Sequence, residues 1–237
     1  MEPARLSFPD AWVGHIPFAF WLVENLTPDK LVELGTYSGN SYFSFCQGVS
    51  SNNLPTRCYA VDQWRGDEHA GFYDEDVFQA VSAYNAKHYG AFSQLLRMTF
   101  DEALAAFGNR TIDLLHLDGL HTYEAVKHDF EIWRPKVSAR GVVLFHDIKM
   151  RERGFGVWQL WEELSRQFPC IEFDHAHGLG VLFIGAEQPP RIKELLKEWN
   201  RADGSRLIKL FFARLGRCVE LQYQVNVASQ IPSTQRP

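Results

Sequence analysis

Lys30-Leu31-Val32-Glu33-Leu34-Gly35-Thr36-Tyr37-Ser38-Gly39 is the stretch on which the fold turns. It opens as a short apolar run of the kind that forms a buried strand, with an acidic residue near its end. It then passes at once into two glycines, which let the backbone turn sharply and approach a ligand closely. Ser38, Asn40 and Ser41 add side chains that can hydrogen-bond there. The spacing is neither the G-x-G-x-x-G of a dinucleotide fold nor the G-x-x-x-x-G-K-[ST] that cradles a triphosphate, so a nucleotide lacking phosphates fits better. Such a loop also serves as a purely structural strand-to-helix turn. Asp62, at the end of the next apolar run, tips the balance because an acidic group there accepts hydrogen bonds from both ribose hydroxyls. Trp64, just beyond it, is placed to lie against adenine.

Outward from the loop, apolar runs at 58–61, 95–98, 112–117 and 141–145 read as further strands, with room for helices between most of them. Tyr123, Val126, Phe130, Trp133 and Val137 recur at helical steps and predict a helix with that face on the sheet. Strands that are nearly all apolar and alternate with helices imply a parallel sheet covered on both faces, a doubly wound α/β fold. A helix is expected over 157–168. Runs at 171–173 and 179–184, separated by Asp174-His175-Ala176-His177-Gly178, predict an antiparallel hairpin at one sheet edge. From Pro189 a helix is expected through Trp199, then a break at Asp203-Gly204 and a second helix over 206–221. The expected division is a main domain at 1–188, a helical extension at 189–227 and a disordered polar tail at 228–237.

Composition narrows the function classes. The chain has 237 residues, 46% of them hydrophobic, enough for one large core. Its net charge of −5 comes from interspersed charges, which argues against nucleic acid as a partner. No basic leader and no membrane-length apolar run is seen, so a cytoplasmic protein is expected. Four scattered cysteines without a C-x-x-C argue against a disulfide framework or zinc knuckle.

From about residue 31 to 184 the sequence resembles class I S-adenosylmethionine-dependent methyltransferases. Val61-Asp62-Gln63-Trp64-Arg65-Gly66-Asp67 and Leu117-Asp118-Gly119-Leu120-His121-Thr122-Tyr123-Glu124 are similar to a bacterial subfamily found with glycan and natural-product pathways. The resemblance implies a Rossmann-like, mostly parallel seven-stranded sheet. It also implies that Glu33, Gly35, Thr36, Ser38, Gly39 and Ser41 surround the methionine part of S-adenosylmethionine. Asp62 would hold the ribose, with Gln63 and Trp64 beside it, Thr99 and Phe100 would border adenine, and Asp118 would reach the cofactor from the fourth strand.

Asp118 and His121 form a D-x-x-H directly after the fourth strand, and His146-Asp147 directly follow the fifth. All four therefore belong at strand carboxyl ends, where open sheets bind ligands. An alcohol is a poor nucleophile unless a base removes its proton or a cation stabilises the alkoxide. His121 has the pKa for the first role. Asp118 and Asp147 could hold a divalent cation such as Mg²⁺ or Mn²⁺. Capping or structural hydrogen bonding is the competing role for each. The pattern is similar to metal-dependent sugar O-methyltransferases of macrolide tailoring, in which an aspartate and a histidine three residues later act as metal ligand and base. His146 departs from that pattern, which places adjacent acidic residues here; as a ligand it would favour softer ions than magnesium.

His69, Phe72, Tyr73 and Asp74 suit a sugar ring or a catechol. Arg151 and Arg153 could bind an anionic part of the acceptor, and His175 and His177 could line its pocket. The leading expectation is an O-methyltransferase acting on a sugar hydroxyl of a glycan, nucleotide sugar or glycosylated metabolite. A metal-dependent hydroxylase or hydrolase, and a non-catalytic S-adenosylmethionine-binding module, are the alternatives. The apolar residues Leu207, Ile208, Leu210, Phe211, Phe212 and Leu215 serve either packing onto the same domain or a homo-oligomer contact.

Overall fold

The computed structural model describes residues 2–230. A 3₁₀ turn, Val13–His15, leads into α1 (Ile16–Leu26), β1 (Lys30–Leu34), α2 (Asn40–Ser51) and β2 (Arg57–Asp62). A short hairpin, β3 (Gly66–Asp67) and β4 (Gly71–Phe72), precedes α3 (Glu75–His88), β5 (Ser93–Arg97) and α4 (Phe100–Ala103). Then come β6 (Ile112–Leu117), α5 (Tyr123–Trp133), β7 (Val137–His146) and α6 (Val157–Leu164). The chain continues through β8 (Cys170–Phe173), β9 (Leu179–Phe183), α7 (Pro190–Trp199) and α8 (Gly204–Gln230).

Seven strands form one sheet in the order β5-β2-β1-β6-β7-β9-β8, parallel from β5 to β7, with β9 antiparallel to both β7 and β8. Alternate residues face opposite sides: Leu31, Leu114 and Leu144 join one buried cluster, while Val32, Leu115 and Val143 join the other. Because helices cover both faces, both sets must be apolar, which is why the runs lack alternation. Strand order reverses between β1 and β6, and the loops leaving these two strands diverge to open a crevice.

Three boundaries differ from expectation. Val137 does not continue the helical face of α5; the helix stops at Trp133, a 3₁₀ turn carries Pro135, and Val137 begins β7. Proline lacks the amide donor and clashes with the preceding turn, so the helical spacing of Val137 is coincidental. Helix α6 ends at Leu164, short of residue 168. Helix α8 runs to Gln230 instead of stopping near Leu221, so residues 228–230 of the expected tail are helical and the rest lies outside the described residues. Phe212 and Val219 of α8 pack into the domain core, whereas Leu207, Leu210 and Phe211 are exposed. Among the described residues no helix is long and apolar enough to cross a membrane.

Candidate active site

The loop after β1 is held by the ends of its neighbours. Gly35 N–H donates to the Val61 carbonyl at 3.0 Å, and Asp118 N–H to the Leu34 carbonyl at 2.9 Å. Gly35 has φ +86°, and a Cβ there would lie 2.1 Å from the Asp118 carbonyl oxygen, so only glycine lets the loop pass this close to β6. Asp62 Oδ2 accepts from the Thr36 and Tyr37 N–H groups at 2.9 Å each, and its Oδ1 from Trp64 N–H at 2.6 Å. The carboxylate thus builds the loop as well as facing the cavity.

That cavity, of about 750 Å³, runs from the glycine loop to the ends of β6 and β7. Thr36, Ser38, Ser41, Asp62 and Gln63 line it, and Thr99, Phe100 and Asp129 line a further part. Gly39 (φ +88°) turns the chain into α2. Burial pushes the Asp129 carboxyl up to about 7, against the opposing effect of His128. Thr99 caps α4 through a reciprocal pair with Glu102.

Three expected cofactor residues, Glu33, Gly39 and Trp64, are not among those lining the cavity. Trp64 does not face the cavity: it has φ +52°, its ring packs 5.0 Å from Phe78, and its Nε1–H donates to the Tyr37 carbonyl at 3.0 Å. The left-handed turn swings the indole into the core, where its polar edge needs a partner. Glu33 is fully buried beneath the loop, with Oε2 at 2.8 Å from His116 Nδ1. Trp12 Nε1–H donates to His116 Nε2 at 3.2 Å, so the other ring nitrogen carries the proton and donates to Glu33. This buried triad was not anticipated; a lone histidine inside the apolar run of β6 was the one signal for it.

At the other end the structure brings together Asp118, His121, His146 and Asp147, with one potential ligand atom from each lying within 4.8 Å of all the others. His121 Nε2 is 3.1 Å from Asp118 Oδ1 and 3.1 Å from Asp147 Oδ2. Its ring stacks on Phe155 (centroids 4.8 Å apart, 13° between planes), and its carbonyl accepts from Gly156 N–H at 2.7 Å. Phe155 also stacks on His69, so the loop after β7 and the β3–β4 hairpin meet beside His121. Phe155 went unnoticed in the sequence, although the glycines on either side of it mark a tight loop.

His146 Nδ1 is 3.2 Å from Asp118 Oδ1 and 3.6 Å from Asp147 Oδ1, and its Nε2 lies 3.1 Å from the Ala176 carbonyl. Burial opposes charging of this imidazole, but the Asp147 and Asp118 carboxylates and the Ala176 carbonyl outweigh it and raise its pKa to about 9. Burial likewise opposes ionisation of Asp118, yet His146 and His121 hold its carboxyl well below the usual range. Asp147 adopts φ +61°, a costly conformation for a non-glycine residue, and this turn presents its carboxylate to the cluster.

At this end His69, Tyr73 and His177 also line the cavity, and His177 Nδ1 is 3.2 Å from Asp147 Oδ1. Phe72 points to solvent, Asp74 precedes α3, and His175 bonds to the Gly14 carbonyl. Arg153 lines the cavity but donates to the Glu68 and His69 carbonyls, and Arg151 lies over the Trp158 ring and faces Glu162. Both guanidinium groups therefore already have structural partners.

Residues 32–148 match the model of a methyltransferase domain family. The uncharacterized protein y4gI of Sinorhizobium fredii is 55% identical over 186 residues, which is 78% of this chain but 20% of that protein, so the chain spans about a fifth of the curated relative it matches. A methyltransferase from Geobacter sulfurreducens shares the fold at TM-score 0.55 and 16% identity, over 72% of this chain and 78% of that one. The O-methyltransferase TomG of Streptomyces achromogenes, solved with S-adenosylmethionine, does so at TM-score 0.54 and 12% identity, over 77% and 82%. The S-adenosylhomocysteine-bound methyltransferase PaMTH1 of Podospora anserina gives TM-score 0.51 and 14% identity, over 76% and 90%. Residues 32–148 thus match a methyltransferase domain, and the strand order around the glycine loop is that of a fold shared with S-adenosylmethionine-dependent methyltransferases.

Proposed function

We propose that the protein transfers the methyl group of S-adenosylmethionine to a hydroxyl oxygen of a sugar, carried on a glycan, a nucleotide sugar or a glycosylated metabolite, with help from a divalent cation. The observation that carries this reading is the position of His121 Nε2, 3.1 Å from carboxylates at two adjacent strand ends, in the cavity the glycine loop opens into.

The donor set suits a cation: two carboxylates, and an imidazole whose second nitrogen faces a backbone carbonyl, the arrangement that commonly orients a ligating histidine. Asp118, Asp147 and His146 would hold the ion, which would supply Lewis-acid stabilisation to an acceptor alkoxide. His121 takes the hydroxyl proton on Nε2. The oxygen then attacks the methyl carbon, the bond from carbon to sulfur breaks, and S-adenosylhomocysteine leaves as a neutral thioether. Asp118 and Asp147 stabilise the imidazolium that forms, and Phe155 fixes the plane of the ring. Thr36, Ser38, Ser41, Asp62 and Gln63 hold the cofactor along the loop, while Thr99 and Phe100 border its adenine.

The sugar acceptor rests on the sequence resemblance and on a cavity wall that mixes His69 and Tyr73 with polar groups. Incubation with S-adenosylmethionine and a panel of nucleotide sugars, lipid-linked sugars and small phenols tests it. Turnover confined to the phenols would rule out a sugar acceptor.

A further inference from the structure

The cation site differs from an all-oxygen site in ways that bear on which ion it takes, an inference that rests on the metal-assisted reading above. Magnesium prefers oxygen donors and retains several waters, whereas imidazole nitrogen suits zinc, copper, iron and nickel, and manganese, though at home among oxygens, accepts it more readily than magnesium does. His146 Nδ1 can serve as such a donor only with the ring's proton on Nε2, and the Ala176 carbonyl 3.1 Å from Nε2 gives that proton an acceptor.

The carbonyl is itself held in place. His15, fully buried, puts its Nε2 3.0 Å from the same Ala176 oxygen, so two imidazoles share one acceptor. In return, His175 Nε2 lies 3.1 Å from the Gly14 carbonyl, which clamps the N-terminal turn to the β8–β9 loop from both sides. Ala176, His177 and Gly178 have successive φ values of +47°, +65° and +90°, a left-handed run that turns the Ala176 carbonyl inward. Lys149 N–H donating to the His177 carbonyl at 2.9 Å pins that run to the segment after β7.

We infer that this centre takes a first-row transition cation such as Mn²⁺ in preference to Mg²⁺, and that His15 is a positioning residue for it, acting through the Ala176 carbonyl on His146. His15 does not line the cavity. Its effect is to hold the carbonyl where the Nε2–H of His146 must meet it.

The test is binding, independent of turnover. Mn²⁺ is titrated into the purified full chain and free ion is read from its electron paramagnetic resonance signal; Mg²⁺ affinity follows by competition. The inference expects Mn²⁺ to bind at least about tenfold more tightly than Mg²⁺. His146→Asp, which restores an oxygen donor, should bring the two ions within about threefold of each other. His15→Leu should weaken Mn²⁺ binding by about tenfold, while His15→Gln, whose amide nitrogen can reproduce the Nε2 donor, should recover most of it. Equal or tighter binding of Mg²⁺ by the unaltered chain overturns the ion preference and leaves metal assistance standing. Binding of neither ion overturns both. Unchanged Mn²⁺ affinity in His15→Leu removes the role of His15, and if that variant does not fold, His146→Asp still decides the ion preference.

Discussion

His121 Nε2 lies 3.1 Å from Asp147 Oδ2, a contact that joins the loop after β6 to the turn after β7 across the mouth of the cofactor crevice. The left-handed turn at Asp147 and the aromatic stack of His121 on Phe155 accompany this contact. The chemistry assigned to the protein depends on it.

Replacing His121 with alanine removes the proposed base while leaving the glycine loop and Asp62 intact. Turnover should fall by about 10² or more, the usual contribution of a positioned acid or base. S-adenosylmethionine affinity, measured by calorimetry, should stay within about threefold. Loss of binding in proportion to loss of turnover would place His121 in the cofactor site instead.

Phe155→Ala should separate ring orientation from proton transfer. The imidazole keeps its carboxylate neighbours but loses the ring at 4.8 Å that sets its plane. We expect kcat to fall by about tenfold, because small misplacements of reacting groups are costly. Cofactor affinity should not change. An unaltered kcat would show that the stack does not position the base.

Asp62 has a structural duty besides the ribose binding proposed for it. Its carboxylate accepts from the Thr36, Tyr37 and Trp64 N–H groups, so Asp62→Ala strands three donors in and beside the loop. Urea denaturation should show a loss of about 3 kcal/mol. Cofactor affinity should drop with it, and Asn, which keeps one carbonyl oxygen, should fall between. Stability equal to that of the unaltered chain would contradict the role of Asp62 in building the loop.

Asp129 gives a pH test. Its pKa is raised by burial to about 7, far above that of an aspartate in the unfolded chain. Between about pH 4 and 7 the folded state binds this proton and the unfolded state does not, so stability from this group falls as pH rises through that window. Asp129→Asn removes the effect. Its melting temperature should exceed that of the unaltered chain by about 2 °C or more at pH 8 and match it near pH 4. A difference independent of pH would show that burial does not perturb Asp129.

Some of this was written locally in the chain. Gly35, Asp62, Asp118 and Asp147 each directly follow or end a recognisable strand, with His121 three residues beyond Asp118, and a parallel sheet gathers such positions at one edge. What escaped depends on contacts distant in sequence or on one backbone angle. Trp12, Glu33 and His116 meet across separations of 83 and 104 residues. Trp64 reads as an adenine platform until the positive φ turns it inward. Val137 kept a helical spacing past a proline that had already ended the helix. His175, expected near the acceptor, instead clamps the N-terminal turn, a pairing that spans 161 residues.

Methyl transfer to a hydroxyl oxygen can be read by mass spectrometry of products formed from S-adenosylmethionine carrying a deuterated methyl group and the sugar acceptor panel. The expected product is an acceptor carrying the intact labelled methyl as an ether on a sugar oxygen, with S-adenosylhomocysteine released in equal amount. Label found only on nitrogen or carbon, or S-adenosylhomocysteine released with no methylated acceptor, would contradict it.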